Sequence, residues 1–322
     1  MKIITLEEHF TTPLYRHATA SLGMGQPAND RLQEIQRKQS DLGEGRLADM
    51  DEAGIDVQVL SLSGILLDAL DPETATAVAH DANNIAAETA KTYPDRFAAF
   101  AALGLKEPEK AADELRRCVL EHGFKGAIVN GTTDGLFLDD PRFLPVFQAA
   151  QELDVPIYLH PAPPPKAVQD AYYNGLPDGY GQALSIAAWG WHVETGLHAL
   201  RLIVSGLFDR CPQLQIIIGH MGENLPFSIA RAESVLTNSA RPLEKPVTEY
   251  FRSNFHVTTS GYFTLPPFLC AMMVVGPDHL MFSVDYPFST NTQGREFLDS
   301  LPVSPKDKEK IAHGNAERLL RL

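Results

Sequence analysis

Two patterns of hydrophobic and polar positions alternate along the chain. Short runs rich in Ile, Val, Leu and Phe, stopped by Gly, Pro, Asp or Asn, read as strands: residues 2–6, 55–61, 97–103, 124–130, 155–160, 214–218, 255–259 and 280–285. Longer stretches with apolar residues at helical spacing lie between them, at 46–53, 74–91, 107–121, 140–152, 183–208 and 304–322, and Gly54 and Gly123 stop two of these. The run Leu214-Gln215-Ile216-Ile217-Ile218 has one polar interruption, as expected of a parallel strand buried on both faces. It ends abruptly in Gly219-His220-Met221-Gly222-Glu223.

Eight strand candidates alternating with helices suit an α/β fold, either a (β/α)₈ TIM barrel or a doubly wound sheet. The strand ends decide between them. The first ends in Glu7-Glu8-His9, the fifth in His160, the sixth in His220 and the eighth in Asp285. Only a closed barrel sets the first and eighth strands side by side and gathers all these ends into one cup. The reading is a single-domain barrel over residues 1–322, with an insertion after strand one. That insertion, residues 11–45, is polar and irregular with a helical piece near 30–40, and suits the wall of a pocket. The proline-rich 161–165 reads as a second, stiff wall.

Composition narrows the partners. A length of 322 residues with 44% hydrophobic content supports a large core. The net charge of −14, with no Lys/Arg cluster, argues against nucleic acid and anionic membranes. No apolar run approaches the ~18 residues of a membrane span, and the first residues reach Glu7 and Glu8 too soon for a signal peptide. Cys118, Cys211 and Cys270 are widely spaced and odd in number, which fits a reducing, cytoplasmic location.

In a strand, Glu7 and His9 lie on one side because side chains alternate. Two or three imidazoles and two carboxylates meeting in one cup suit a borderline divalent cation, Zn²⁺ foremost, with Mn²⁺ or Mg²⁺ as alternatives. His192 and His198, set among Leu and Ala in a helical stretch, read as core residues outside the site.

Glu7-x-His9, Tyr158-Leu159-His160-Pro161, Gly219-His220-Met221-Gly222-Glu223 and Phe282-Ser283-Val284-Asp285-Tyr286-Pro287-Phe288 together resemble the amidohydrolase superfamily. Within it they resemble the metal-dependent decarboxylase branch of γ-resorcylate and 2,3-dihydroxybenzoate decarboxylases, with aminocarboxymuconate semialdehyde decarboxylase more distant. The resemblance implies one divalent metal per chain on Glu7, His9, His160 and Asp285. It further implies catalytic roles for Asp285 and for His220, which lies beside the substrate and is hydrogen-bonded to Glu223. It implies that Arg231 binds substrate, reaching in from a neighbouring subunit, in a homo-oligomer, a dimer or tetramer. Two loops depart from that pattern: Ser289-Thr290-Asn291 stands where those enzymes have Glu-Asn, and Ala162-Pro163 where they have Arg-Asn. Both departures concern the pocket rather than the metal.

The chemistry follows from the ligands. An ortho-hydroxy carboxylate offers two oxygens to one cation, the Lewis acid stabilises the phenolate, and protonation of the carboxylate-bearing carbon followed by loss of CO₂ restores aromaticity. The expected function is therefore non-oxidative decarboxylation of a small hydroxybenzoate-type aromatic acid, a reversible C–C lyase needing no organic cofactor. A metal-dependent hydrolase or lactonase on the same ligands is the alternative, and a non-catalytic binding protein a third.

Overall fold

The structure is a computed structural model and describes residues 1–22, 29–237 and 243–322. Its strands are β1 (Ile4–Phe10), β2 (Val57–Leu62), β3 (Phe97–Ala99), β4 (Ala101–Ala102), β5 (Ala127–Asn130), β6 (Ile157–His160), β7 (Ile216–Ile218), β8 (Phe255–Thr258) and β9 (Leu280–Met281). All pair in parallel with their sequence neighbours, in the orders β1-β2-β3 and β4-β5-β6-β7-β8-β9. β3 and β4 are one barrel strand interrupted at Phe100, whose N–H donates to Leu60 O at 2.9 Å. This is the (β/α)₈ barrel expected from the strand–helix alternation.

Two apolar layers explain why the strands read as uninterrupted runs. Ile4, Leu6, Val57, Val59, Phe100, Ile128, Tyr158, Ile217 and Met281 fill the barrel, with Ala316 and Leu320 packed among them. Ile157, Leu159, Ile216 and Ile218 turn the other way, into the layer shared with the helices. Each such Ile or Leu contributes about 1.5–3 kcal/mol of burial.

The barrel closes between its first and last strands by an unusual route. No backbone ladder joins β9 to β1 among the described residues; instead the fully buried Glu8 carboxylate accepts from Val284 N at 3.0 Å, Tyr286 N at 3.1 Å and Ser283 Oγ at 3.2 Å. His9 N donates to Tyr286 O at 2.7 Å and Ser283 Oγ to Leu6 O at 2.9 Å. Fully buried Arg46 backs this seam, donating to His9 O and Asp41 O with its guanidinium 4.8 Å from the Tyr286 ring centroid.

Three segments differ from the sequence expectation. The eighth strand is regular only over Leu280–Met281, because the N–H groups beyond it go elsewhere: Phe282 N to Ile311 O, Ser283 N to Thr259 Oγ1, and Val284 N and Tyr286 N to Glu8. The segment 183–208 is not one helix: Tyr180–Ser185 stops, and a new helix runs Gly190–Val204. The backbones meet there so closely that a Cβ on Gly190 would lie 2.4 Å from Ser185 O. The insertion after β1 holds helices Pro13–Thr19 and Asp30–Ser40, so it is more regular than its polarity suggested; its residues 23–28 lie outside the described residues.

Candidate active site

β1 is bulged where it matters. Its register against β2 shifts between Thr5 and Glu8, and Glu7 has φ +78°. Ile4 and Leu6 face the barrel interior, so strict alternation would turn Glu7 and His9 outward; the bulge reverses the phase, and Phe10 instead joins the outer layer. Glu7 and His9 thereby enter the cup.

Glu7 is fully buried and its two oxygens have different tasks. Oε2 accepts from Tyr158 OH and Ser260 Oγ, with Thr258 Oγ1 2.8 Å from the tyrosine oxygen. Oε1 has no hydrogen-bond donor and lies 3.2 Å from His160 Nε2 and 4.0 Å from His220 Nε2. His160 Nδ1 stands 2.7 Å from Pro161 O, so it carries the proton and leaves the Nε2 lone pair facing Glu7. His9 Nε2 is a second buried atom without a hydrogen bond, 3.3 Å from Asp285 Oδ1, and Asp285 Oδ2 is 3.7 Å from His220 Nε2. Glu7, His9 and His160 form a triad of donor atoms all within 4.8 Å of one another, with Asp285 alongside.

The charges match a cation in this cup. Burial raises the Glu7 carboxyl to about 7, with the Asp285 charge adding to it. Asp285 is held at about 2: burial works against the anion, and its contacts with His220 and His9 outweigh it. Burial, with His9 and His220 nearby, lowers His160 to about 3, which keeps it a neutral, ligand-ready imidazole. Two orphaned buried atoms, a free imidazole lone pair and a carboxylate are what a divalent ion needs, so the residues fit one.

His220 and Glu223 sit in a left-handed turn. His220, Met221, Gly222, Glu223 and Asn224 have φ of 47°, 58°, 86°, 53° and 65°. Each non-glycine residue there costs about 1–2 kcal/mol, and strain of this kind concentrates at functional sites. The turn brings His220 Nδ1 to 2.7 Å from Glu223 Oε1. Glu223 Oε2 accepts from His192 Nδ1 at 2.6 Å, so this buried carboxylate bridges two imidazoles. Burial disfavours its charge, yet the positive charge of His220 and the donated hydrogen bonds of both imidazoles hold its pKa below the ordinary value.

The structure thus gathers Glu7, His9, His160, His220, Glu223 and Asp285. Arg231 stands apart, exposed on the helix Leu225–Leu236, and does not reach this chain's own cup. His192, set aside on its sequence as a core histidine, is buried against Glu223; its only sequence signal was a histidine beside Trp191. His198 lies elsewhere, its Nε2 accepting from Leu138 N at 2.9 Å. Tyr158, Thr258 and Ser260 also escaped the sequence reading, although Tyr158 shares a strand face with His160 and the other two close β8.

Comparison with known proteins gives the family of the chain. The Amidohydrolase family model matches residues 9–322. A gamma-resorcylate decarboxylase of Rhodococcus jostii is 40% identical over 334 residues, covering 99% of this chain and 98% of that protein. One from Rhizobium sp. is 38% identical over 331 residues, with the same coverage. The crystal structure of a dihydroxybenzoic acid decarboxylase from Polaromonas sp. JS666, with bound manganese and the inhibitor 2-nitroresorcinol, superposes with a TM-score of 0.91 at 36% identity, covering 100% of this chain and 97% of that one. The family model over residues 9–322 and these near-full-length similarities make the chain a member of the amidohydrolase family.

Proposed function

We propose that this protein is a divalent-metal-dependent, non-oxidative decarboxylase of hydroxybenzoate-type acids, with dihydroxybenzoates as its substrate class. The observation that carries this is the convergence of Glu7 Oε1, His9 Nε2, His160 Nε2 and Asp285, two of these atoms buried without a hydrogen bond. Similarity to gamma-resorcylate decarboxylases supports the substrate class.

Glu7, His9, His160 and Asp285 would hold the ion, Zn²⁺ on the imidazole content or Mn²⁺ as in the Polaromonas structure. When bound, it supplies Lewis-acid stabilisation of a phenolate next to the carboxylate. The chain's residues do the rest. Glu223 orients His220 so that its Nε2 faces the substrate. Asp285 takes the ortho-hydroxyl proton of the incoming substrate anion and delivers it to the ring carbon bearing the carboxylate. The C–C bond then breaks, its electron pair returns to the ring and CO₂ leaves.

Arg231 completes the site from a second copy of the chain. Its helix also carries Phe227, 89% exposed, and the contacting helix Leu265–Val275 carries Met273, 85% exposed, an apolar face suited to a homo-oligomer. The three cysteines are unpaired, which supports a cytoplasmic location.

The deciding assay incubates the protein with 2,6- and 2,3-dihydroxybenzoate and a lactone panel while its metal content is measured. CO₂ release with about one divalent ion per chain is the expected result. Lactone hydrolysis without CO₂, or full activity in chelator with almost no metal, overturns the reading.

A further inference from the structure

We propose that His192 is a positioning residue: by donating to Glu223 from the side opposite His220, it locks the orientation of the imidazole that faces the substrate and the hydrogen bond from its Nδ1–H. The inference rests on the reading of His220 given above.

Glu223 and His192 are 1% and 2% exposed, so neither of these polar groups has water to satisfy it. Glu223 has two oxygens and two imidazole donors: Oε1 takes His220 Nδ1 at 2.7 Å and Oε2 takes His192 Nδ1 at 2.6 Å. With both oxygens engaged, the carboxylate cannot rotate without breaking a buried hydrogen bond. Removing the His192 donor frees one oxygen to compete for His220 and lets the pair turn together.

The surroundings of His192 keep its proton on Nδ1. Trp191 Nε1, which can only donate, points at His192 Nε2 from 3.1 Å, and Ala187 O, which can only accept, lies 2.9 Å from the same nitrogen. The neutral Nδ1–H form accepts from Trp191, and the imidazolium donates to Ala187 O. Both forms donate from Nδ1 to Glu223. The one remaining form, neutral with its proton on Nε2, would set a lone pair against the carboxylate at 2.6 Å and is excluded by repulsion. His192 therefore acts as a permanent donor.

The same logic passes to His220. Its Nδ1–H is committed to Glu223, which leaves Nε2 as the nitrogen aimed at the cup, 3.7 Å from Asp285 Oδ2. Tyr262 packs edge-on against both rings, at 5.2 Å from His192 and 5.7 Å from His220, and closes the side of the array.

The test compares His192→Phe, which keeps a ring and removes the donor, with His192→Asn, whose amide N–H can replace Nδ1–H. In the dihydroxybenzoate assay, His192→Phe should lose about tenfold to a hundredfold in kcat, with KM and metal content within about twofold of wild type. His192→Asn should recover most of that loss. Independently of any substrate, ¹⁵N NMR of the Zn²⁺-loaded protein should show the His220 Nδ1–H held in one hydrogen bond to Glu223 in wild type and His192→Asn, and a mixture of arrangements in His192→Phe. A His192→Phe protein with unchanged kcat and an unchanged His220 spectrum overturns the proposal. So does a His192→Phe chain that cannot fold where His192→Asn folds without restoring kcat or the spectrum, since the role is then packing. If the wild type releases no CO₂ but its His220 spectrum responds as stated, the decarboxylase reading fails and the positioning role stands.

Discussion

Gly219 and Glu7 approach so closely that a Cβ on residue 219 would lie 2.8 Å from Glu7 Oε2. The same atom would stand 3.0 Å from Tyr158 OH, the partner that holds Glu7 in place. The backbone of Gly219 is ordinary, with φ −77°, so space alone demands glycine here.

Gly219→Ala should therefore push the Glu7 carboxylate off its Tyr158 and Ser260 donors and misplace Oε1. Disturbing the support of a ligand typically costs about 10–100-fold in metal affinity. Metal titration of the chelator-stripped protein reads this, and unchanged affinity in Gly219→Ala would mean that Glu7 relaxes freely or does not bind the ion.

Asp285→Asn separates holding the metal from moving the proton. The amide keeps the shape and one ligand oxygen but cannot deliver a proton to carbon. Turnover should fall by at least the ~10²–10⁴-fold credited to acid–base catalysis, while substantial metal stays bound and a substrate analogue still binds. Single-turnover CO₂ release and metal occupancy on one sample decide it. A fully metallated variant within tenfold of wild type would make Asp285 a ligand only and His220 the proton donor.

Arg231→Ala should reduce turnover of an anionic acid about tenfold to a hundredfold, the equivalent of ~1.5–3 kcal/mol for a charge-assisted contact. Thermal stability should barely change, because the residue is exposed on Leu225–Leu236. In a mixture with Asp285→Asn chains, subunit exchange should restore some activity, since the two residues serve one site from different copies. Unaltered kinetics in a folded Arg231→Ala protein would remove it from the site.

Two buried histidines outside the site should make the fold sensitive to acid. Burial, with Arg201 nearby, holds His198 at about 3, and burial with His279 and Arg318 nearby holds His256 at about 3. Unfolded, each takes up a proton near pH 6.5. Their folded pKa is depressed, so the unfolded state gains protons first as pH falls. Full stability exists above about 6.5, and about 1.4 kcal/mol per histidine is lost for each pH unit between there and about 3. Urea unfolding at pH 7, 6 and 5 should show this slope, shallower in His256→Gln by about the share of one histidine. Parallel slopes would show that His256 is charged in the folded protein.

The alternation of apolar runs and helical stretches, with acids and imidazoles where the runs stop, determined the barrel and the ligand types. Parallel strands buried on both faces must read as unbroken Ile, Val and Leu, as at Ile216–Ile218, and the chemistry must then sit at their ends. Tertiary structure alone decided how those ends are aimed. Glu7 and His9 share a face in any strand, but only the bulge at φ +78° turns that face inward, and a one-residue phase reversal leaves no mark on composition. The left-handed turn at 220–224 likewise includes Met221 and Glu223, which no local propensity favours there. His192 shows the same limit from the other side: among apolar helix neighbours it reads as core, and only the fold brings Glu223, from a turn 31 residues later, to its Nδ1. Periodicity records which side chains leave water, whereas the pairing of buried polar atoms depends on contacts far apart in the chain.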